Sequence, residues 1–242
     1  MKSDKNYVFH KAGTRGYFDF GWLQTYHSFS FGNYFNPERM QYGALRVLND
    51  DTIDSGKGFG THPHENMEIV TIPLKGELAH KDSMGNGKTI RVGEVQIMSA
   101  GTGITHSEFN PLDTENTELL QIWVLPKEKN IVPRYGQKLF PKENRINQFQ
   151  VLVSPNGIDD DKDSPVWINQ DAYFSIGNFD SGKKFQYKKN NPENLLYTFL
   201  ISGKINSGEV TMEKRDGMGS REALEFQAEV DSEVLVIEIP GV

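Results

Sequence analysis

Two short motifs hold the side chains most able to do chemistry. His62-Pro63-His64 sets two imidazoles two residues apart, and His106-Ser107-Glu108 sets an imidazole and a carboxylate at the same spacing. Residues two apart on a β-strand share a face, so each motif offers a pair of donors in one direction. Three imidazoles and one carboxylate, with no thiolate, suit a redox-capable divalent ion that keeps coordination positions open. The blander reading is polar residues on a solvent-facing strand. Two such pairs in one β-rich stretch favour the ion. Glu68 has the strand parity of His62 and His64, so spacing alone leaves Glu68 and Glu108 as rival carboxylates. His80 lies on the next strand in the sequence. It reads as a packed histidine before it reads as a partner that orients a ligand. His10 and His27 have no paired neighbour and read as structural. All six histidines fall within the first 106 residues, so an imidazole site belongs to the leading half alone.

The elements that must position these donors are strands, and the fold class is all-β. Residues 42–48, 68–74, 95–98, 119–125 and 234–239 are short runs rich in β-branched and aromatic residues. Glycine and polar clusters break them at intervals of about 8–12 residues, the rhythm of a sandwich or barrel. Pro63 lacks an N–H and fits a strand edge. Ser83 to Gly87 reads as a hairpin loop. Pro37 suits a short helical turn over 36–40. The stretch 126–149, with Pro126, Pro133 and Pro141 among many charges, reads as a linker. Further strands follow at 150–154, 172–176, 195–202, 209–213 and 224–228. The acidic run 159–163 reads as a solvated loop, since it lacks the glycine and closing glutamate of a calcium loop.

Composition bounds the function. The 242 residues carry 36% hydrophobic and 24% charged side chains, enough to build a core. A net charge of −7 argues against nucleic acid, whose phosphates need clustered positive charge. It leaves protein partners open. With no cysteine, disulfides, thiolate nucleophiles and Cys-type zinc fingers are excluded. No run of apolar residues is long enough to span a membrane. The polar stretch Met1–Asn6 has no apolar signal core, and the expectation is a cytoplasmic protein.

The strings HPHENMEIVTIPLKGELAHKDSMGNG and GEVQIMSAGTGITHSEFNP resemble the pirin family of bicupins, as does the earlier GWLQTYHSFSFGNYFNPERMQYGALRVLNDDTI. The likeness is close from about Gly21 to Tyr135 and weaker beyond. Against the general cupin pattern Gly76 arrives one residue late, Ser99 stands for a proline, and two extra residues separate Gly101 from His106. Pirins share these departures. The resemblance implies two cupin domains, jelly-roll-like β-barrels, at 1–133 with the metal and at 134–242 without ligands for one. It implies that His62, His64, His106 and Glu108 hold one divalent ion, which decides against Glu68. Fe(II) is the foremost ion, with nickel, copper, manganese, cobalt or zinc as alternatives.

The activity implied is that of a quercetin 2,3-dioxygenase. A flavonol and dioxygen enter, the central ring is cleaved, and carbon monoxide leaves. Glu108 would then be ligand and catalytic base together. The alternative is a non-catalytic metal- or redox-sensing protein that binds a transcription-related protein partner. A structural zinc protein ranks last, because such sites close all four positions, often with cysteine. A monomer is implied. Phe18, Phe20, Trp22, Phe29, Phe31 and Phe35 are candidates to line a pocket for a planar substrate. Alternating aromatics more often form core, so no substrate contact is assigned from sequence.

Overall fold

Period-two alternation of apolar and polar side chains commits the chain to strands. The computed structural model describes residues 7–242 and bears this out. The polar stretch Met1–Asn6 lies outside the described residues. The leading half runs β1 (Tyr7–His10), β2 (Gly16–Asp19), β3 (Leu23–His27), β4 (Leu45–Ile53), β5 (Gly58–His64), β6 (Glu68–Lys75), β7 (Glu77–Asp82), β8 (Gly87–Arg91), β9 (Glu94–Ser99), β10 (Ile104–Phe109) and β11 (Thr117–Val124). The trailing half runs β12 (Arg134–Leu139), β13 (Phe149–Ser154), β14 (Val166–Trp167), β15 (Tyr173–Phe179), β16 (Lys184–Gln186), β17 (Leu195–Ser202), β18 (Lys204–Asn206), β19 (Thr211–Glu213), β20 (Gly217–Ser220), β21 (Glu225–Ala228) and β22 (Ser232–Ile239). Helix is confined to short 3₁₀ turns at Ala12–Thr14 and Lys142–Arg145. Among the described residues no helix is long and apolar enough to cross a membrane.

The two halves repeat one strand plan. A seven-stranded sheet in the order β12-β9-β6-β11-β4-β3-β2 faces a four-stranded sheet in the order β5-β10-β7-β8. The trailing half repeats this as β1-β20-β17-β22-β15-β13-β14 and β16-β21-β18-β19. These are two cupin barrels. Each large sheet takes its first strand from the other half of the chain. β1 pairs with β20, and β12 pairs with β9. Cut at 133/134, the units 1–133 and 134–242 would each lack a strand of their own large sheet.

Two expectations need correction. The stretch 126–149 is no structureless linker, because β12 within it donates a ladder to β9. The segment 36–40 forms a tight turn rather than a helix. Arg39 N–H donates to Asn36 O, and Ser30 pins both ends, through its N–H to Arg39 O and its Oγ to the Asn36 N–H. The hairpin loop between β7 and β8 stands as expected.

The main apolar core lies between the two large sheets. Leu48, Val70 and Ile122 from the leading sheet pack in one cluster with Phe174, Tyr197 and Ile237 from the trailing one. The other face of the leading sheet lines its own barrel and is polar. One register row there runs His27–Asn49–Gln121–Thr71–Gln96–Gln137 across six strands. This polar rung separates two small apolar clusters, one around Leu78 and Leu119 and one around Ile69 and Met98.

Candidate metal centre

Glycines deliver the two motif strands. Gly101 and Gly103 take φ of +46° and +128° in the turn before β10, a region that side-chain-bearing residues avoid. At Gly58 a Cβ would run into the carbonyl of Glu108, so only glycine lets β5 approach β10 this closely. Along β10 burial alternates, with Ile104, His106 and Glu108 inside and Thr105 and Phe109 outside. His106 lies opposite His62. A bulge follows, with Gly60 and Thr61 of β5 set against Ser107. It leaves Glu108 opposite Phe59 on one side and His80 on the other.

The structure brings His62, His64 and His106 together. One ring nitrogen from each lies within 4.8 Å of the others. The ring centroids are 4.4 Å apart for His62 and His106, 4.8 Å for His64 and His106, and 4.9 Å for His62 and His64. The hydrogen bonds set their tautomers. His62 Nδ1 donates to the Gly60 carbonyl at 2.8 Å, which leaves the Nε2 lone pair free. Asp82 is fixed by the N–H groups of Met84 and Asn86 and by the Asn86 amide. It accepts from His80 Nε2 at 3.2 Å. The His80 Nδ1 lone pair then faces His106 Nδ1 at 3.5 Å. That chain puts the His106 proton on Nδ1 and a lone pair on Nε2, an atom that is buried without a partner. A carboxylate–histidine chain behind a ligating imidazole is the usual way to hold it in one tautomer.

Electrostatics keep the three rings neutral. Burial, and then the neighbouring His62, His64 and His80, push His106 down to about 2. Burial and His62 hold His64 at about 4. A neutral imidazole is the form that ligates. Three convergent lone pairs, one of them stranded in the interior, fit a divalent cation.

Glu108 stands beside this cluster. It groups with His106 and His80 rather than with all three imidazoles. Donors to one octahedral ion with bonds of about 2.1 Å lie at most about 4.2 Å apart, so joining the ion requires a swing of the carboxylate. Gln121 Nε2 now donates to both its oxygens, at 3.2 and 3.1 Å, while Gln121 Oε1 accepts from Thr71 at 2.8 Å. Burial pushes the Glu108 carboxyl up to about 7, against the pull of Gln121.

Glu68 points elsewhere. Asn66, with φ of +49°, breaks the chain between β5 and β6, and the two strands enter different sheets. Sequence parity therefore does not carry across. Glu68 faces the trailing barrel and accepts from Ser99 Oγ at 2.7 Å and from the Asn169 N–H at 3.1 Å. His10 is structural and bonds Tyr197 Oη through Nδ1 at 3.0 Å. His80 is more than packing, as the Asp82 chain demonstrates. Of the candidate aromatics, Phe18, Phe20 and Phe31 line a cavity next to the cluster, together with His27 and Phe59. Phe29 is core, Phe35 is 73% exposed, and Trp22 packs edge-on against Phe59. Sequence reasoning missed Asp82, Gln121 and Trp123, which packs edge-on against His64 at 4.9 Å. Gln121 alone left a signal, as a polar residue inside the apolar run Leu119–Val124.

Comparison with known proteins agrees in fold and site region. The Pirin family model matches residues 8–124, and the Quercetinase C-terminal cupin domain model matches residues 151–239. A quercetin 2,3-dioxygenase of Escherichia coli is 41% identical over 96% of this chain and 98% of its own length. A pirin-like protein of Caulobacter vibrioides is 38% identical over 91% of this chain and 94% of its own. Among solved structures, the bacterial pirin YhhW of Escherichia coli in complex with nickel(II) superposes with a TM-score of 0.89. It is 39% identical, covering 98% of this chain and all of that one (100%).

Proposed function

The chain belongs to the pirin family, and from that premise we propose that it is a metal-dependent dioxygenase. It would cleave the central ring of a flavonol such as quercetin with release of carbon monoxide. The observation that carries this reading is the convergence of three neutral imidazoles beside a buried carboxyl and an aromatic cavity. The 41% identity to a quercetin 2,3-dioxygenase over nearly the whole chain supports the substrate class.

His62, His64 and His106 would hold one divalent ion, proposed to be Fe(II), with Glu108 as fourth ligand. The nickel(II) complex of the related YhhW supports a divalent ion in this region. Such an ion supplies a Lewis-acidic, redox-capable centre with positions left for a substrate oxygen and for dioxygen. The rest falls to this chain's own residues. Asp82 and His80 keep the His106 proton on Nδ1. Gln121 holds the Glu108 carboxyl in place. A Glu108 oxygen accepts the proton of the flavonol 3-hydroxyl, for which a base must lie within hydrogen-bond reach. Phe31, Phe59 and Trp123 pack around the imidazoles and limit water.

The test is flavonol loss together with carbon monoxide release by iron-loaded protein. The expected result is turnover that vanishes in His62→Ala and Glu108→Ala. A folded, metal-replete protein inert toward flavonols would overturn the proposal and point to the partner-binding role.

A further inference from the structure

The leading barrel holds a second group of inward polar side chains that the metal centre leaves without a task. Thr25 and His27 on β3 and Asn49 and Asp51 on β4 are each more than nine-tenths buried. Register pairs Thr25 with Asp51 and His27 with Asn49. They line a cavity of about 200 Å³ whose walls carry Phe18, Phe20, Phe31 and Phe59. Three polar atoms of this lining have no partner: His27 Nδ1, Asn49 Oδ1 and Asp51 Oδ1. Stranding even one buried polar atom is costly, and a native chain that strands three in one wall has a use for them.

The chemistry of those atoms narrows the occupant. His27 spends its other nitrogen as a donor to the Phe31 backbone, so its Nδ1 is an acceptor. Asp51 takes the Thr25 hydroxyl and keeps Oδ1 unspent. All three free atoms accept, so the occupant must bring O–H donors. Four phenyl rings select a flat aromatic body. A cavity of about 150 Å³ holds benzene, so this one holds a single substituted ring. Neither His27 nor Asp51 joins a group of side chains able to hold a metal. The cavity also abuts the imidazole cluster. Phe59 sits 6.4 Å from the His62 ring, and Phe31 sits 5.2 Å from Trp123, which backs His64.

We propose that this cavity is the subsite for a hydroxylated ring of the substrate, and that Asp51, Asn49 and His27 select for the hydroxyls on that ring. The inference rests on the flavonol reading and adds which residues distinguish one flavonol from another.

The test is binding of quercetin and of 3-hydroxyflavone to the nickel(II)-loaded protein without dioxygen, read by tryptophan fluorescence. 3-Hydroxyflavone keeps the 3-hydroxyl and lacks the other ring hydroxyls. Wild type should prefer quercetin by about 10-fold or more. Asp51→Leu and Asn49→Leu should each cut that preference to about 3-fold or less, with 3-hydroxyflavone affinity unchanged. If one replacement fails to fold, the other carries the test, and the wild-type preference stands as a separate measurement. Equal affinities in wild type, or a preference that survives both replacements, would overturn the proposal and leave a cavity that holds only water. Selective binding without turnover would sink the dioxygenase reading and spare the subsite. Turnover with an unaltered preference in the variants would do the reverse.

Discussion

In the leading barrel His106 lies opposite His62 where β10 meets β5. At the matching junction of the trailing barrel, where β21 meets β16, Phe226 lies opposite Phe185. The contrast extends along the large sheets. Gln121 stands between Asn49 and Thr71, whereas Val236 stands between Ser175 and Thr198, and that row continues to Met218 and Phe9. One strand plan thus carries two interiors. The trailing barrel is filled by one apolar cluster that includes Leu196, Met218, Phe226 and Val236. The leading barrel gives up that continuity for a polar rung, a cavity and a cluster of imidazoles. The lesson is a division of labour. Chemistry sits in the barrel with the poorer core, and the trailing barrel and the core between the large sheets hold the fold together.

The largest effect expected from breaking this comparison is at the imidazoles. His106→Ala should lower bound metal from one ion per chain to below a tenth, and activity by about a thousand-fold or more, since a ligand matters more than the 10–100-fold typical of its supports. Metal analysis of the purified variant checks it. Phe226→Ala in the trailing barrel should leave metal content unchanged and cost about 3–5 kcal/mol of stability, read by denaturant unfolding. If Phe226→Ala loses metal while His106→Ala keeps it, the division of labour is wrong.

A third test concerns Glu68, at the seam between the barrels. Burial raises its carboxyl from 4.5 to about 7, against Ser99, Asn169 and Arg134. The folded state therefore favours the protonated acid. That stabilisation is complete below about 4.5 and is lost as pH rises through 7. Glu68→Gln should abolish the loss, so the variant should gain on wild type by on the order of 3 kcal/mol between pH 4.5 and pH 8. Unfolding curves at the two pH values measure it, and parallel behaviour of the two proteins would contradict it. The smallest effect is expected one bond behind the site. His80→Phe should fill the same space, free the His106 tautomer and weaken metal affinity by about 10–100-fold, read by competition with a chelator. An unchanged affinity would return His80 to packing.

Much of this was legible in the sequence, for reasons that particular residues make plain. The two His-x-donor motifs could be read because period-two spacing on a strand is rigid. The same rule misjudged Glu68, because Asn66 turns the chain between two strands and resets the face. The strand exchange was hidden, since nothing local to Tyr7–His10 or Arg134–Leu139 names a partner on the far side of the molecule. Asp82, Gln121 and the cavity row of Asn49 and Asp51 were hidden likewise. Each gains its meaning from a neighbour across the sheet, and register is a property of the fold rather than of any window of residues. The resemblance to pirins, by contrast, was carried by contiguous strings and survived every comparison.

The most direct test of the account is the ligand sphere itself, seen by X-ray absorption of the iron-loaded protein beside its His106→Ala variant. The account predicts one ion per chain with three imidazoles and oxygen donors in wild type, and no bound ion in the variant. An ion with fewer than two imidazole neighbours, or one that persists without His106, would contradict it.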